Sequence, residues 1–341
     1  MSGDPLQRLT PIVRLAPAKL NLTLAVVGRR ANGFHELHSV AVPLALADRL
    51  SLAPAAGGTD TLHASGHDAG PIEANLVLRA IAAARTAIGR GADTVALAAR
   101  LEKRIPVEAG LGGGSSDAAA ALDAALEAWR AEPTLVDLLA IAARLGSDVP
   151  FFLAGGPALI EGRGERVTAL PPLDGPAPGV LLVTPGVAVS TAATFLAFAS
   201  GGAAAPVVAG ATRLTSAHLA SEWRAGLRSA DLLARAGVLA VANDLAAATE
   251  VIAPGVVALR RALTRLIGRP IGQSGSGPSL WALYPSLDEA EAAAEAVRDA
   301  HVDGRLAVPG DRPPSIVATT IMGRDETAGE SRPAREEAIE P

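Results

Sequence analysis

The 341-residue chain contains no cysteine. That excludes disulfides, thiolate metal sites and a cysteine nucleophile, and it suits a reducing compartment. Lysine is nearly missing as well: of 30 basic residues only Lys19 and Lys103 are lysine, and the rest are arginine. Together with the abundance of alanine, this reads as a coding bias toward Ala and Arg. Under such a bias a lysine is kept where its ammonium is needed. Aromatics make up only 3% of the chain, and no basic stripe interleaved with aromatics occurs. With a net charge of -5, a nucleic-acid partner is not expected. Residues 1–15 lack the basic region and apolar core of a signal peptide. Residues 175–212 carry no charge, but Pro176, Pro178, Pro185, Gly186, Gly201, Gly202 and Pro206 interrupt them. A spanning helix needs about 20 unbroken apolar residues, so strand and loop are expected there, and a soluble cytoplasmic protein without a membrane partner.

What is present is a chain long enough for two domains, with 49% hydrophobic residues to build cores. Residues 12–27 alternate as a strand, 28–33 form a polar turn, 34–46 are extended, and 50–63 form a strand interrupted by a Gly57-Gly58 turn. Residues 75–88 have helical spacing, and 94–105 form a strand. Residues 118–131 and 135–145 are helices, while 149–153 and 158–162 are short strands. After a Pro-rich break at 170–178 come a buried strand at 180–184 and helices near 191–199, 216–236 and 256–267. A glycine turn at 272–277, a strand at 279–284, a helix at 288–299 and a strand at 315–322 follow. Residues 324–341 are charged, contain proline and lack apolar period, so they read as a disordered tail. The mixture is α+β in two lobes.

The most informative stretch is Pro106 to Ala120. Gly110, Gly112, Gly113, Gly114, Ser115 and Ser116 lie between a strand and an Ala/Leu-rich helix. Glycine lets the backbone approach a ligand closely, and the free N–H groups of a helix N-terminus favour phosphate. It is not a Walker A loop, because no Gly-Lys-Ser/Thr follows, and it is a poor dinucleotide fingerprint. A plain glycine-rich turn capped by serine would fit the loop alone. His63 and His67 are four apart but have no third ligand nearby, so no metal site is expected there.

Two further blocks add to the loop: Pro17-Ala18-Lys19-Leu20-Asn21 before it and Gly272-Gln273-Ser274-Gly275-Ser276-Gly277 after it. Their order resembles the GHMP small-molecule kinases. Gly33-Phe34-His35-Glu36-Leu37, Glu73-Ala74-Asn75-Leu76 and Gly146-Ser147-Asp148-Val149-Pro150 narrow the resemblance to the 4-diphosphocytidyl-2-C-methyl-D-erythritol kinases, over roughly residues 10–323. The resemblance implies a two-lobed GHMP fold. Its ATP-binding lobe would cover 10–168, and a ferredoxin-like substrate lobe would cover 178–323. It implies ATP as phosphoryl donor with Mg2+, and a small-molecule alcohol linked to cytidine diphosphate as acceptor. Asp148 matches the catalytic base and Lys19 the catalytic lysine. The glycines and serines of the loop would hold the triphosphate. Asn75, Leu76 and Lys103 match positions around adenine, although Lys103 reads equally as a solvated strand end. Asn21 matches a position near the accepting hydroxyl and His35 a reader of the cytosine edge. Phe34 and Phe195 match two rings that sandwich that base, and Thr191 faces the substrate. The family more often has Tyr where Phe34 stands. A monomer or homodimer is compatible. Another kinase of the superfamily, or a non-catalytic nucleotide sensor, remains open to test.

Overall fold

The computed structural model describes residues 10–31, 33–89, 94–202 and 206–323. The segment read as a tail, 324–341, lies outside them. The N-terminal part runs β1 (Ile12–Asn21), β2 (Ala25–Arg29), β3 (His35–Pro54), β4 (Thr61–Gly66), α1 (Leu76–Ala87), β5 (Leu97–Lys103), α2 (Gly113–Ala128), α3 (Leu135–Leu145), α4 (Val149–Ala154), β6 (Ala158–Gly162) and β7 (Arg166–Ala169). β3 organises this part. Expected as an extended segment ending at 46 and another starting at 50, it is one strand. Its first residues pair with β2 and β6, and the remainder pairs with β1 and β5. A seven-stranded sheet results, antiparallel except for the β4–β5 pair. Leu50, Leu52, Leu97 and Leu101 on one face pack against Ile81, Leu122 and Ile141 of the helices.

Two further local outcomes in this part differ from the sequence reading. α2 starts at Gly113, five residues before the expected Ala118, because Gly112 adopts a left-handed φ of 71° at its N-cap and turns the loop directly into the helix. Residues 149–153, expected as a strand, form α4. Pro150 occupies its first turn, where a missing N–H costs nothing, and Val149, Pro150 and Phe151 are buried. A run of five apolar residues carries no period that separates strand from helix.

The C-terminal part runs β8 (Gly179–Thr184), α5 (Thr191–Ala197), α6 (Pro206–Arg224), α7 (Ser229–Ala234), α8 (Ala236–Leu239), α9 (Ala246–Ile252), α10 (Gly255–Ile267), β9 (Gly272–Gln273), β10 (Leu280–Tyr284), α11 (Leu287–Val302) and β11 (Ser315–Thr320). Its sheet is antiparallel with the order β11–β8–β10–β9. This is a ferredoxin-like sheet in which α5 to α10 replace the first crossover helix. The helix expected over 216–236 is the second half of α6 plus α7, parted at Gly226 (φ 93°).

β8 is buried on both faces, which explains its unbroken apolar run. Leu181 and Val183 pack with Leu263 of α10 and Ala294 and Val297 of α11. Val180 and Leu182 join Leu20, Val40, Val42, Leu44, Trp223 and Trp281 in one cluster that spans both sheets. The sheets part between Ala169 and Gly179, within the Pro-rich break.

Candidate active site

β1 carries the first motif. Its pairing with β3 shifts register between Pro17 and Ala18, a bulge that re-aims the end of the strand. Lys19 N–H then donates to the Leu111 carbonyl at 2.8 Å, tying the strand to the glycine loop. The Lys19 ammonium is buried. It donates to Asn21 Oδ1 at 2.8 Å and lies 3.3 Å from Asp148 Oδ2. Asp148 stands at the N-cap of α4, yet its side chain caps nothing. It is 35% exposed, so a buried cation faces a carboxylate that a ligand can reach.

Two loop glycines are required by space as well as by φ. A Cβ on Gly110 (φ 75°) would lie 2.4 Å from the Ser274 carbonyl oxygen, and one on Gly112 would lie 2.9 Å from Lys19 Cγ. Gly113, Gly114 and Ser115 open the first turn of α2, where helical N–H groups have no intrahelical partner. The third motif holds the loop from the other side. Ser274 Oγ donates to the Gly110 carbonyl at 3.0 Å and accepts from Asn21 N–H at 3.2 Å. Asn243 Nδ2 in turn donates to the carbonyls of Gln273 and Gly275.

Asn75 caps α1, its Oδ1 accepting from Val77 N–H at 2.9 Å. Leu76 reaches over the loop, its Cδ1 3.7 Å from where a Cβ on Gly114 would be. Lys103 is not a solvated strand end, and its ammonium is not turned outward toward a base. It is buried under the loop between Asp48 Oδ2 and Asp117 Oδ2, the latter at 2.7 Å. The reason lies in the register of β5: Lys103 falls on the inward side of the strand, facing the first turn of α2. Asp48 Oδ1 also accepts from the N–H groups of Arg104 and Ile105. Burial pushes the Asp117 carboxyl up to about 7; Lys103 pulls it down and Asp48 pushes it further up. Its Oδ1 and the buried Ser116 Oγ have no hydrogen-bond partner.

The two rings expected to sandwich a base, Phe34 and Phe195, have different neighbours. Phe195 stacks on His35, with ring centroids 5.0 Å apart and planes 20° apart, and Phe198 meets His35 edge-on. Phe34 is exposed, with the Arg163 guanidinium 5.4 Å over its ring. Neighbours along extended chain point to opposite faces, so Phe34 and His35 diverge at the start of β3. Arg163 also donates to the Ala143 carbonyl, and its neighbour Gly164 packs against Ser147, next to Asp148. Burial and the charge of Arg29 lower the His35 pKa, which keeps its imidazole neutral at pH 7. Thr191 Oγ1 lies 3.0 Å from Ser276 Oγ, joining α5 to the third motif.

Sequence reasoning missed Asp48, Asp117, Arg163 and Ser274 as site residues. Asp117 and Ser274 sit inside recognised motifs and were within reach. Asp48 had one signal, an acid that directly follows the apolar run Val40–Ala47. Arg163 had none among 28 arginines.

The profile of the family described as GHMP kinases N terminal domain matches residues 75–156, from the Asn75 cap through the glycine loop to α4. The 4-diphosphocytidyl-2-C-methyl-D-erythritol kinase of Pelotomaculum thermopropionicum is 40% identical over 84% of this chain and 94% of its own length. The chain belongs to the 4-diphosphocytidyl-2-C-methyl-D-erythritol kinase family. It is therefore a GHMP-type, ATP-dependent small-molecule kinase. The Deinococcus radiodurans enzyme of the same name is also 40% identical, over 84% of this chain and 90% of its own. A crystal structure of 4-(cytidine 5'-diphospho)-2C-methyl-D-erythritol kinase superposes with a TM-score of 0.64 at 32% identity, covering 92% of this kinase and all of that chain. Homoserine kinase from Cytophaga hutchinsonii, at 19% identity and a TM-score of 0.65 over 95% of this chain and 98% of its own, shares the fold.

Proposed function

We propose that this kinase transfers the γ-phosphate of ATP to the 2-hydroxyl of 4-diphosphocytidyl-2-C-methyl-D-erythritol, a step of the methylerythritol phosphate route to isoprenoid precursors. The observation that carries it is the Lys19–Asp148 pair, 3.3 Å apart at the lip of the glycine loop. The substrate hydroxyl oxygen attacks the γ-phosphorus, the bond from that phosphorus to the β-bridging oxygen breaks, and ADP leaves. The hydroxyl proton passes to Asp148. The Lys19 ammonium, 3.3 Å from that carboxylate, faces the transferring charge. The rest is positioning and charge stabilisation, as phosphoryl transfer requires. Loop N–H groups take the phosphates, Asn75 and Leu76 flank adenine, and Phe34, His35, Phe195 and Thr191 receive the cytidine end.

Mg2+ fits this donor set as an ion carried largely by phosphate and water. The loop mouth offers the Asp148 carboxylate, a hard oxygen ligand, and no group of three acidic or imidazole side chains gathers among the described residues. When bound, the ion would neutralise charge on the β- and γ-phosphates. No helix among the described residues is long and apolar enough to cross a membrane. A cytoplasmic setting, and a monomer or homodimer, complete the reading.

The test is ADP release with Mg-ATP and the cytidylated alcohol, with mevalonate, homoserine and galactose alongside. Turnover confined to the cytidylated alcohol, falling about 10²–10⁴-fold in Asp148→Ala, is expected. Activity on a different alcohol alone would overturn the substrate, and an unimpaired Asp148→Ala would remove the base.

A further inference from the structure

Asn21 is buried and its carboxamide has two chemically different ends. Which end faces Lys19 matters, because an ammonium can only donate. The answer comes from Ser39, on β3 and 1% exposed. The Ser39 hydroxyl has a single proton, and it donates that proton to the Thr23 carbonyl at 2.5 Å. Toward Asn21, Ser39 can therefore only accept, and Asn21 Nδ2 donates to it at 2.8 Å. This leaves Asn21 Oδ1 facing Lys19 Nζ, also at 2.8 Å. Thr23 is held in turn: its hydroxyl accepts from Val40 N–H and donates to Ser216 Oγ of α6, which also contacts His38 Nδ1. From the Thr23 carbonyl to the ammonium beside Asp148, the serine proton and the donor-only ammonium demand the same amide orientation from opposite ends.

We propose that Ser39 is a positioning residue for phosphoryl transfer: it sets the orientation of the Asn21 carboxamide and, through it, the place of the Lys19 ammonium beside Asp148. Without the Ser39 hydroxyl the amide is held on one side only, by the ammonium itself, and nothing accepts from its Nδ2. A flipped amide would set N–H groups against the ammonium and drive it from its seat. The proposal rests on the kinase reading but not on the identity of the acceptor alcohol.

The experiment is a double-mutant cycle on ADP release, run with whichever alcohol the wild type turns over. Ser39→Ala is expected to lower kcat about 10–100-fold with the KM for ATP nearly unchanged, since small misplacements of a reacting group cost on this scale. In an Asn21→Ala background the same change should cost less than about two-fold. Ser39→Thr, which keeps the hydroxyl, should restore most of kcat. Alongside, the side-chain amide protons of Asn21, followed by 15N NMR, should exchange slowly in wild type and in Ser39→Thr and rapidly in Ser39→Ala. Equal losses in both backgrounds, or Asn21 protons indifferent to Ser39, would overturn the proposal. A wild type silent on the cytidylated alcohol but active on another would sink the substrate reading and leave this one to be judged by the cycle. A wild type silent on every alcohol leaves the NMR arm to decide it.

Discussion

Asp117→Asn should make the kinase more stable at pH 8 than wild type, an uncommon outcome for a buried substitution. The carboxyl of Asp117 is almost wholly buried, and burial raises its pKa from an ordinary 3.8 to about 7. Above pH 4 the unfolded chain has released this proton while the folded chain still holds it. Stability therefore falls as pH rises, until the folded group also ionises near pH 7. At about 1.4 kcal/mol per pH unit, this one carboxyl removes on the order of 3 kcal/mol between pH 5 and pH 8. Asparagine keeps the shape and cannot titrate, so the difference between the two proteins should be small at pH 5 and grow to that size at pH 8. Guanidinium unfolding at pH 5, 6, 7 and 8, followed by fluorescence of Trp129, Trp223 and Trp281, measures it. Lys103→Met is the counterpart. It strands Asp48 and Asp117 together without their cation and should cost about 3–5 kcal/mol at pH 8. Parallel pH curves for wild type and Asp117→Asn would refute the reasoning: Asp117 would then be ionised throughout, and net negative charge would lie beneath the glycine loop.

Gly110→Ala forces a side chain onto a φ of 75° and a Cβ to within 2.4 Å of a carbonyl oxygen. The KM for ATP should rise about ten-fold or more in the ADP-release assay, and an unchanged KM would show that the loop does not need the Ser274 contact. His35→Ala should raise the KM for the cytidylated alcohol and leave that for ATP alone, because it unstacks Phe195 without touching the glycine loop. A rise in the KM for ATP instead would place the base elsewhere.

The chemistry was more legible than the architecture because it is written in short contiguous runs. Lys19, the glycine loop and Asp148 each announce themselves within a few residues, and the fold brings all three together at one lip. Contacts between distant residues were not legible. Lys103 was singled out by its rarity, but its environment depends on Asp48, 55 residues away. The Phe195–His35 stack likewise depends on where α5 docks. α4 was misread because five apolar residues have no period, although Pro150 directly after Val149 is a helix-start signal. The boundary of α2 was misread for the opposite reason. A glycine-rich segment reads as loop by composition, while a single left-handed Gly112 is enough to start the helix inside it.

The cluster shared by the two sheets bears on how such a molecule can be taken apart. Trp223 and Trp281 belong to the second half of the chain, yet they are sealed by Leu20, Val42 and Leu44 of the first. Met322 N–H donates to the Pro43 carbonyl, so the end of the described chain is also fastened to β3. A cut in the Pro-rich break would leave two fragments, each with a bare apolar face, and neither would be a soluble half-enzyme. Recombination with a foreign second half would have to import matching side chains on β1 and β3. On the proposed reading, changes of substrate in such an architecture are confined to what can be rewritten at the lip, around Phe34, His35 and α5, with the sealed interior left alone.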